Sequence, residues 1–141
     1  MKPAPLVRLG PGSQVPEWAE ALERTCFGDA WGPLEDGEYL WAAPGLGFAR
    51  WRAIPAAQEA ELLRVAIDPQ ARRGGHGRAL LRACEASLAG LGIQTLHLEV
   101  RVGNGAARGL YESEGWGFQG ERKDYYRDGE AAALYQKPLP G

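Results

Sequence analysis

Hydrophobic positions along this chain change their period several times. From Thr95 to Val100 they alternate, with Leu96, Leu98 and Val100 on one side and His97 and Glu99 on the other. That period of two predicts a strand with one wet face. From about Gly77 to Leu91 the spacing lengthens, so that Leu80, Cys84, Leu88 and Leu91 form a stripe opposite Arg78, Arg82 and Glu85. An amphipathic helix follows from that pattern, ended by Gly90 and Gly92. Leu6–Leu9 reads as a short strand closed by Gly10-Pro11-Gly12. Pro16 stands where a first helical turn tolerates it, and Trp18, Ala21, Leu22 and Thr25 or Cys26 then share a helix face. Gly28–Gly37 shows no period. Tyr39–Ala43 and Leu46–Ile54 flank Pro44-Gly45 and predict a hairpin. Glu61–Ile67 alternates in part, with Leu63, Val65 and Ile67 facing away from Arg64. Asn104 is a good N-cap for a short helix through Leu110 and Tyr111, closed by Gly115. Trp116–Gly120 and Ala132–Lys137 complete the set as a strand pair.

Strands, helix, strand, helix and strands in that order predict an α/β fold around a sheet of mixed, mostly antiparallel direction. The 141 residues carry no repeat and no dividing linker, so residues 1–141 are expected to form one domain. Hydrophobic and charged fractions of 45% and 24% fit an ordinary globular protein. A net charge of −2 and a pI near 5.7 speak against a nucleic-acid or membrane-surface binder. Cys26 and Cys84 have neither metal-ligand spacing nor a disulfide framework, which fits a reducing cytosol. MKPAPLVRLGPG at the start lacks the apolar run of a signal peptide or a membrane span, so a cytoplasmic location is expected.

One local feature departs from this unremarkable balance. Arg72, Arg73, Arg78 and Arg82 surround Gly74, Gly75, His76 and Gly77 at a predicted helix start, with no Asp or Glu between Pro69 and Cys84. Basic side chains at a helix N-terminus cost about 0.3–1 kcal/mol each. A glycine-rich turn there aims backbone N–H groups outward and makes an anion site, and a bound phosphate would supply the missing charge. On the residues alone an equal reading stands beside it, in which the glycines only permit positive φ and the arginines are solvated. Two phosphate motifs fail: after Gly75-His76-Gly77 the third glycine of a dinucleotide fingerprint is Leu80, and no lysine is near enough for a P-loop.

Arg72-Arg73-Gly74-Gly75-His76-Gly77 matches the R/Q-x-x-G-x-G/A motif of the GNAT acetyltransferase superfamily. The frame VAIDPQARRGGHGRALL (Val65–Leu81) followed by LHLEVRVGNGAARGLYESEGWGF (Leu96–Phe118) resembles its RimI-type protein N-terminal acetyltransferases. The likeness is close over about half of the chain and loose over the rest. It implies a single GNAT-like domain with a sheet of about six to seven strands, splayed after Ile67 at a cofactor cleft, and acetyl-CoA as co-substrate without a metal. By the same resemblance Arg72, Arg73, Gly74, Gly75, His76, Gly77 and Arg78 hold the coenzyme A pyrophosphate. Val65, Ala66 and Ile67 pair with the pantetheine arm, and Asn104 contacts the coenzyme. Glu99 takes the place of the general base. Tyr111 takes the place of the tyrosine beside the cofactor that protonates the departing thiolate.

Amide formation from a thioester needs an amine without its extra proton, a polarised carbonyl and a proton for sulfur. A carboxylate can take the amine proton, and a backbone N–H at the end of the Val65–Ile67 strand can meet the oxyanion. Read without the resemblance, the residues favour Glu99 as a surface glutamate paired with Arg101 or Arg64, and Tyr111 is open to a packing role. His97 lies beside Glu99 on the strand, and its part is open. Cys84 on an apolar stripe reads as a small buried hydrophobe. CFGDAW (Cys26–Trp31) and RKDYY (Arg122–Tyr126) resemble the family's peptide-gripping segments, which makes Phe27, Trp31, Tyr125 and Tyr126 candidate acceptor residues. Ordinary packing is the alternative for the tyrosines. Two departures stand out: only seven residues separate Trp31 from Tyr39, and the family's Glu-Asp-Ala reads Glu130-Ala131-Ala132. The expected acceptor is a protein or peptide N-terminus, with a small amine bound near Asp29, Glu35 or Asp36, or a non-catalytic acetyl-CoA module, as alternatives. The chain is expected to be a monomer or homodimer.

Overall fold

The computed structural model describes residues 6–72 and 74–140. Its strands are β1 (Val7–Leu9), β2 (Glu38–Ala43), β3 (Gly47–Ile54), β4 (Glu59–Ile67), β5 (Thr95–Arg101), β6 (Gly117–Arg122) and β7 (Ala132–Pro138). Three helices join them: α1 (Glu17–Phe27), α2 (His76–Gly90) and α3 (Gly105–Ser113). The seven strands form one sheet in the order β1-β2-β3-β4-β5-β7-β6. All neighbours are antiparallel except β4 and β5, whose parallel pairing needs the α2 crossover.

That parallel ladder is short. Glu59 to Leu62 pair with Thr95 to Leu98, and beyond Leu62 and Leu98 the two strands have no register. The sheet therefore opens after Leu62, not after Ile67 as the sequence reading had it. Val65, Ala66 and Ile67 stay bonded only to β3, opposite Ala49, Phe48 and Gly47. Gly47 is required there, because a Cβ would fall 2.3 Å from the Ala66 carbonyl oxygen. A register shift between Arg50 and Trp51 leaves Leu63 as the extra residue of a bulge. The inward series on β4 is consequently Leu62, Val65 and Ile67, with Leu62 in place of the expected Leu63.

Two cores flank the sheet. On one face α2 and α3 bury Trp51, Leu81, Cys84, Leu88, Leu96 and Tyr135, each large aliphatic side chain contributing about 1.5–3 kcal/mol. On the other, α1 covers Leu40, Phe48 and Ala66 with Ala19 and Leu22. Of the expected α1 face, Trp18, Leu22 and Cys26 pack against this core, whereas Ala21 and Thr25 are exposed and Ala19 and Glu23 are buried. Pro16 is the N-cap residue, one position before the first helical turn. In α2 the stripe ends at Leu88; Leu91 lies beyond the helix and is exposed, and Glu85 is buried against Lys137 at 2.7 Å.

No helix forms between α1 and β2. Arg50 holds that segment instead, donating to the carbonyls of Gly32 (3.1 Å) and Pro33 (3.0 Å) and to Glu38. Burial alone would raise the Glu38 pKa, but hydrogen bonds from Arg50 and the Glu35 N–H outweigh it and hold the carboxyl below its ordinary value. Among the described residues no helix is long and apolar enough to cross a membrane.

Candidate active site

After β4, Asp68 accepts from the Gln70 N–H at 2.9 Å and starts a short turn that delivers the chain to α2. Gly75 is the N-cap in the left-handed region, φ 76°, and no side chain caps the helix. Among the described residues the N–H groups of His76, Gly77 and Arg78 meet no protein acceptor. Open first-turn donors of this kind bind anions. The His76 ring lies against Gly74, where a Cβ would come 2.9 Å from Nε2. Gly77 faces Ile67, with room for an ordinary contact at 3.6 Å.

Arginine charge is distributed differently from the sequence expectation. Arg78 and Arg82 both reach Glu114 at the end of α3, at 2.5 and 2.6 Å. The Arg82 hydrogen bond, then that of Arg78, holds the Glu114 carboxyl at about 2. The acid absent from the local sequence is therefore supplied by another helix. Arg72 donates from Nε to the Ile67 carbonyl at 3.2 Å and lies 3.5 Å from Cys26 Sγ, tying the turn to the end of β4 and to α1. Arg73, assigned above to the same motif, lies outside the described residues. What remains for a ligand is chiefly the backbone of the turn, beside the open edge of Val65, Ala66 and Ile67. Asn104 caps α3 through Oδ1, which accepts from the Ala107 N–H at 3.2 Å, so its amide NH2 points to no partner among the described residues.

Glu99 projects from β5 on the face opposite Leu98 and Val100, into a cleft of about 310 Å³ lined also by Glu61, His97, Gln119, Arg122 and Gln136. Its Oε1 lies 3.6 Å from Arg122 Nη1. Neither partner offered by the sequence is used: Arg101 pairs with Asp128 and Glu130, and Arg64 with Glu23 and Asp29. The Tyr125 hydroxyl is pushed up to about 12, first by hydrogen bonding to the Glu99 carboxylate. Glu61, which the sequence reading missed, stands opposite His97 across the parallel ladder. Burial raises its pKa and the Glu99 charge raises it further. Only strand register could have exposed that neighbour. His97 Nε2 lies 3.4 Å from Glu59 Oε1 without hydrogen-bond geometry.

Tyr111 is 5% exposed on α3, with ring centroids 5.9 Å from Trp116 and 6.4 Å from Tyr135. Burial, and then the neighbouring Tyr126, push its hydroxyl up to about 12. Cys84 is likewise pushed up to about 12 by burial, which suits a hydrophobe and not a nucleophile. The aromatic segments form two groups. Tyr125 and Tyr126 meet edge to face at 5.0 Å, with Tyr126 over Arg101 at 4.2 Å. Phe27 and Trp31 instead gather on Arg64, at 4.3 and 3.8 Å from its guanidinium carbon.

Comparison with known proteins follows the same lines. The model of the Acetyltransferase (GNAT) family matches residues 12–118. The chain is 45% identical over 78 residues to the ribosomal protein bS18-alanine N-acetyltransferase of Escherichia coli (strain K12), covering 54% of this chain and 53% of that protein. The match thus spans about half the length of that curated relative. An N-alpha-acetyltransferase of Sulfurisphaera tokodaii is 33% identical over 109 residues, 74% of this chain and 65% of that one. The crystal structure of the ribosomal-protein-S18-alanine N-acetyltransferase from Escherichia coli superposes with a TM-score of 0.76 at 29% identity, covering 96% of this chain and 95% of that one. With the motif, the opened sheet and the family match in agreement, the chain belongs to the acetyltransferase (GNAT) family.

Proposed function

We propose that this protein transfers an acetyl group from acetyl-CoA to a primary amine, the N-terminal amine of a protein or peptide. The observation that carries the reading is the juxtaposition of an uncapped helix start with an opened strand edge, next to a cleft holding Glu99. Likeness to relatives named for N-terminal alanine acetylation supports the acceptor. The residues present fit the coenzyme. Gly74, Gly75, His76, Gly77 and Arg78 would hold its pyrophosphate through backbone amides, with Arg72 and Asn104 at the margins. Val65, Ala66 and Ile67 would pair with its amide-bearing arm. When bound, the coenzyme supplies a thioester whose carbonyl an amine can attack. Glu99 takes the proton from the acceptor ammonium on a carboxylate oxygen. Tyr111, which keeps its phenolic proton through neutral pH, offers that proton to sulfur. Backbone N–H groups at the end of β4 would meet the carbonyl oxygen. Phe27, Trp31, Tyr125 and Tyr126 line the approach of the peptide.

A second reading, a small cationic amine as acceptor, draws on the two carboxylates Glu61 and Glu99 in one cleft. Asp29, one of the acids expected to serve such an acceptor, is instead 2.8 Å from Arg64. Thiol release measured with acetyl-CoA across alanine-starting peptides, N-blocked peptides and polyamines separates the two. Peptides with a free small N-terminal residue are expected to react, and Glu99→Gln to lower turnover roughly 10²–10⁴-fold with acetyl-CoA affinity kept. Efficient polyamine acetylation with every peptide refused would establish the second reading.

A further inference from the structure

We propose that Arg64 is a positioning residue that builds the acceptor wall, fixing Phe27 and Trp31 against the end of β4. The proposal rests on the reading of Phe27 and Trp31 as acceptor residues. Arg64 is the residue immediately before Val65, so one strand carries both the wall and the open edge beside the cofactor cradle. Its side chain is 13% exposed and its guanidinium is held on several sides. The Phe27 and Trp31 rings lie over it at 4.3 and 3.8 Å. Nη1 reaches Glu23 Oε2 at 3.0 Å and Asp29 Oδ1 at 2.8 Å. Glu23, 2% exposed at its side chain, also receives the Trp31 N–H at 3.4 Å.

Phe27 closes α1, and beyond it no helix sets the direction of Trp31, so these contacts perform that task. Arg50, opposite Arg64 in the β3–β4 ladder, binds the next carbonyls at Gly32 and Pro33. Phe27 and Trp31 direct one face to the guanidinium yet remain 41% and 44% exposed, leaving apolar surface for an incoming chain. A planar guanidinium can lie flat against two rings while one of its nitrogens reaches two carboxylates, and an ammonium has no plane to stack. Lysine at this position would keep the charge and lose the geometry.

The test combines steady-state kinetics on an alanine-starting peptide with chymotrypsin cleavage after Phe27 or Trp31, followed by mass. Arg64→Met and Arg64→Lys are compared with the wild type, alongside acetyl-CoA affinity by calorimetry and the melting temperature. Expected for Arg64→Met is a rise in peptide KM on the order of tenfold, with kcat and acetyl-CoA affinity within about twofold of wild type. Cleavage should accelerate by a similar factor, and Arg64→Lys should restore only a minor part of either effect. If Arg64→Met fails to fold, Arg64→Lys carries the same comparison. Unchanged KM and unchanged cleavage would overturn the positioning role. Faster cleavage with unchanged KM would show that Arg64 pins the segment but that Phe27 and Trp31 are not the acceptor wall.

Discussion

Replacing Gly77 with valine should cost cofactor binding far more than folding. Gly77 lies in the first turn of α2 and lacks the positive φ that makes Gly75 intolerant of a side chain. An added Cβ would meet Ile67 Cγ1 at 3.6 Å, an ordinary contact. Valine is no worse than glycine in a helix, so the melting temperature should stay within about 3 °C of wild type. Alanine, which the motif accepts here, adds only that Cβ, whereas the two γ carbons of valine would stand among the first-turn N–H groups proposed to hold the pyrophosphate. Displacing one charge-assisted hydrogen bond there loses about 1.5–3 kcal/mol, which weakens binding roughly 10–150-fold. Isothermal titration with acetyl-CoA and scanning calorimetry on the same preparation read both effects. Unchanged affinity in the folded variant would refute the placement of the anion on this turn. At Gly75, with φ of 76°, the corresponding change introduces strain of about 1–2 kcal/mol and should lower stability as well.

Two acids should respond to pH in opposite senses. Glu114, depressed to about 2 by Arg82 and Arg78, stabilises the fold above its ordinary value of 4.5, and that contribution fades as pH falls toward 2. Glu114→Gln should therefore be less stable than wild type in urea at pH 7 and converge with it near pH 2; a constant difference would show that charge is not involved. Glu61 has a raised pKa, so the folded state holds its proton more tightly, and that stability, full below 4.5, is lost as pH rises from there through the raised value. Glu61→Gln should gain stability at pH 7 and none in acid, and a loss at pH 7 would show that its contacts outweigh its burial.

Local patterns were readable wherever their causes lie within a few residues. The alternation from Leu96 to Val100 gave β5, and Asn104 with its bond to the Ala107 N–H gave the start of α3. The cradle was readable for the same reason, since its glycines and helix start are contiguous. The Glu114 partner of Arg78 and Arg82 was not, because it arrives from another helix and only tertiary packing brings it there. The bulge at Leu63 was equally hidden: an added residue in one strand has no signature in the strand itself. Glu85 was placed on the polar face of its helix with Arg78 and Arg82, yet Lys137 allows it to be buried. Strand-to-strand adjacency placed Glu61 next to Glu99, which no spacing along the chain could announce.

The brief parallel ladder has an energetic meaning for the whole molecule. A β4–β5 seam bonded along its full length would satisfy the backbone groups of Val65 to Ile67 and hold the two halves of the sheet more firmly. Ending it at Leu62 and Leu98 leaves polar main chain in want of partners at one place. Stability that a closed sheet would have possessed is withheld there and becomes available to any amide-bearing chain that can complete the edge. Under the proposed function the coenzyme's amide-bearing arm would supply that completion. Opening motions of the free molecule should accordingly begin along this seam, between halves that α2 and the remaining paired residues keep together.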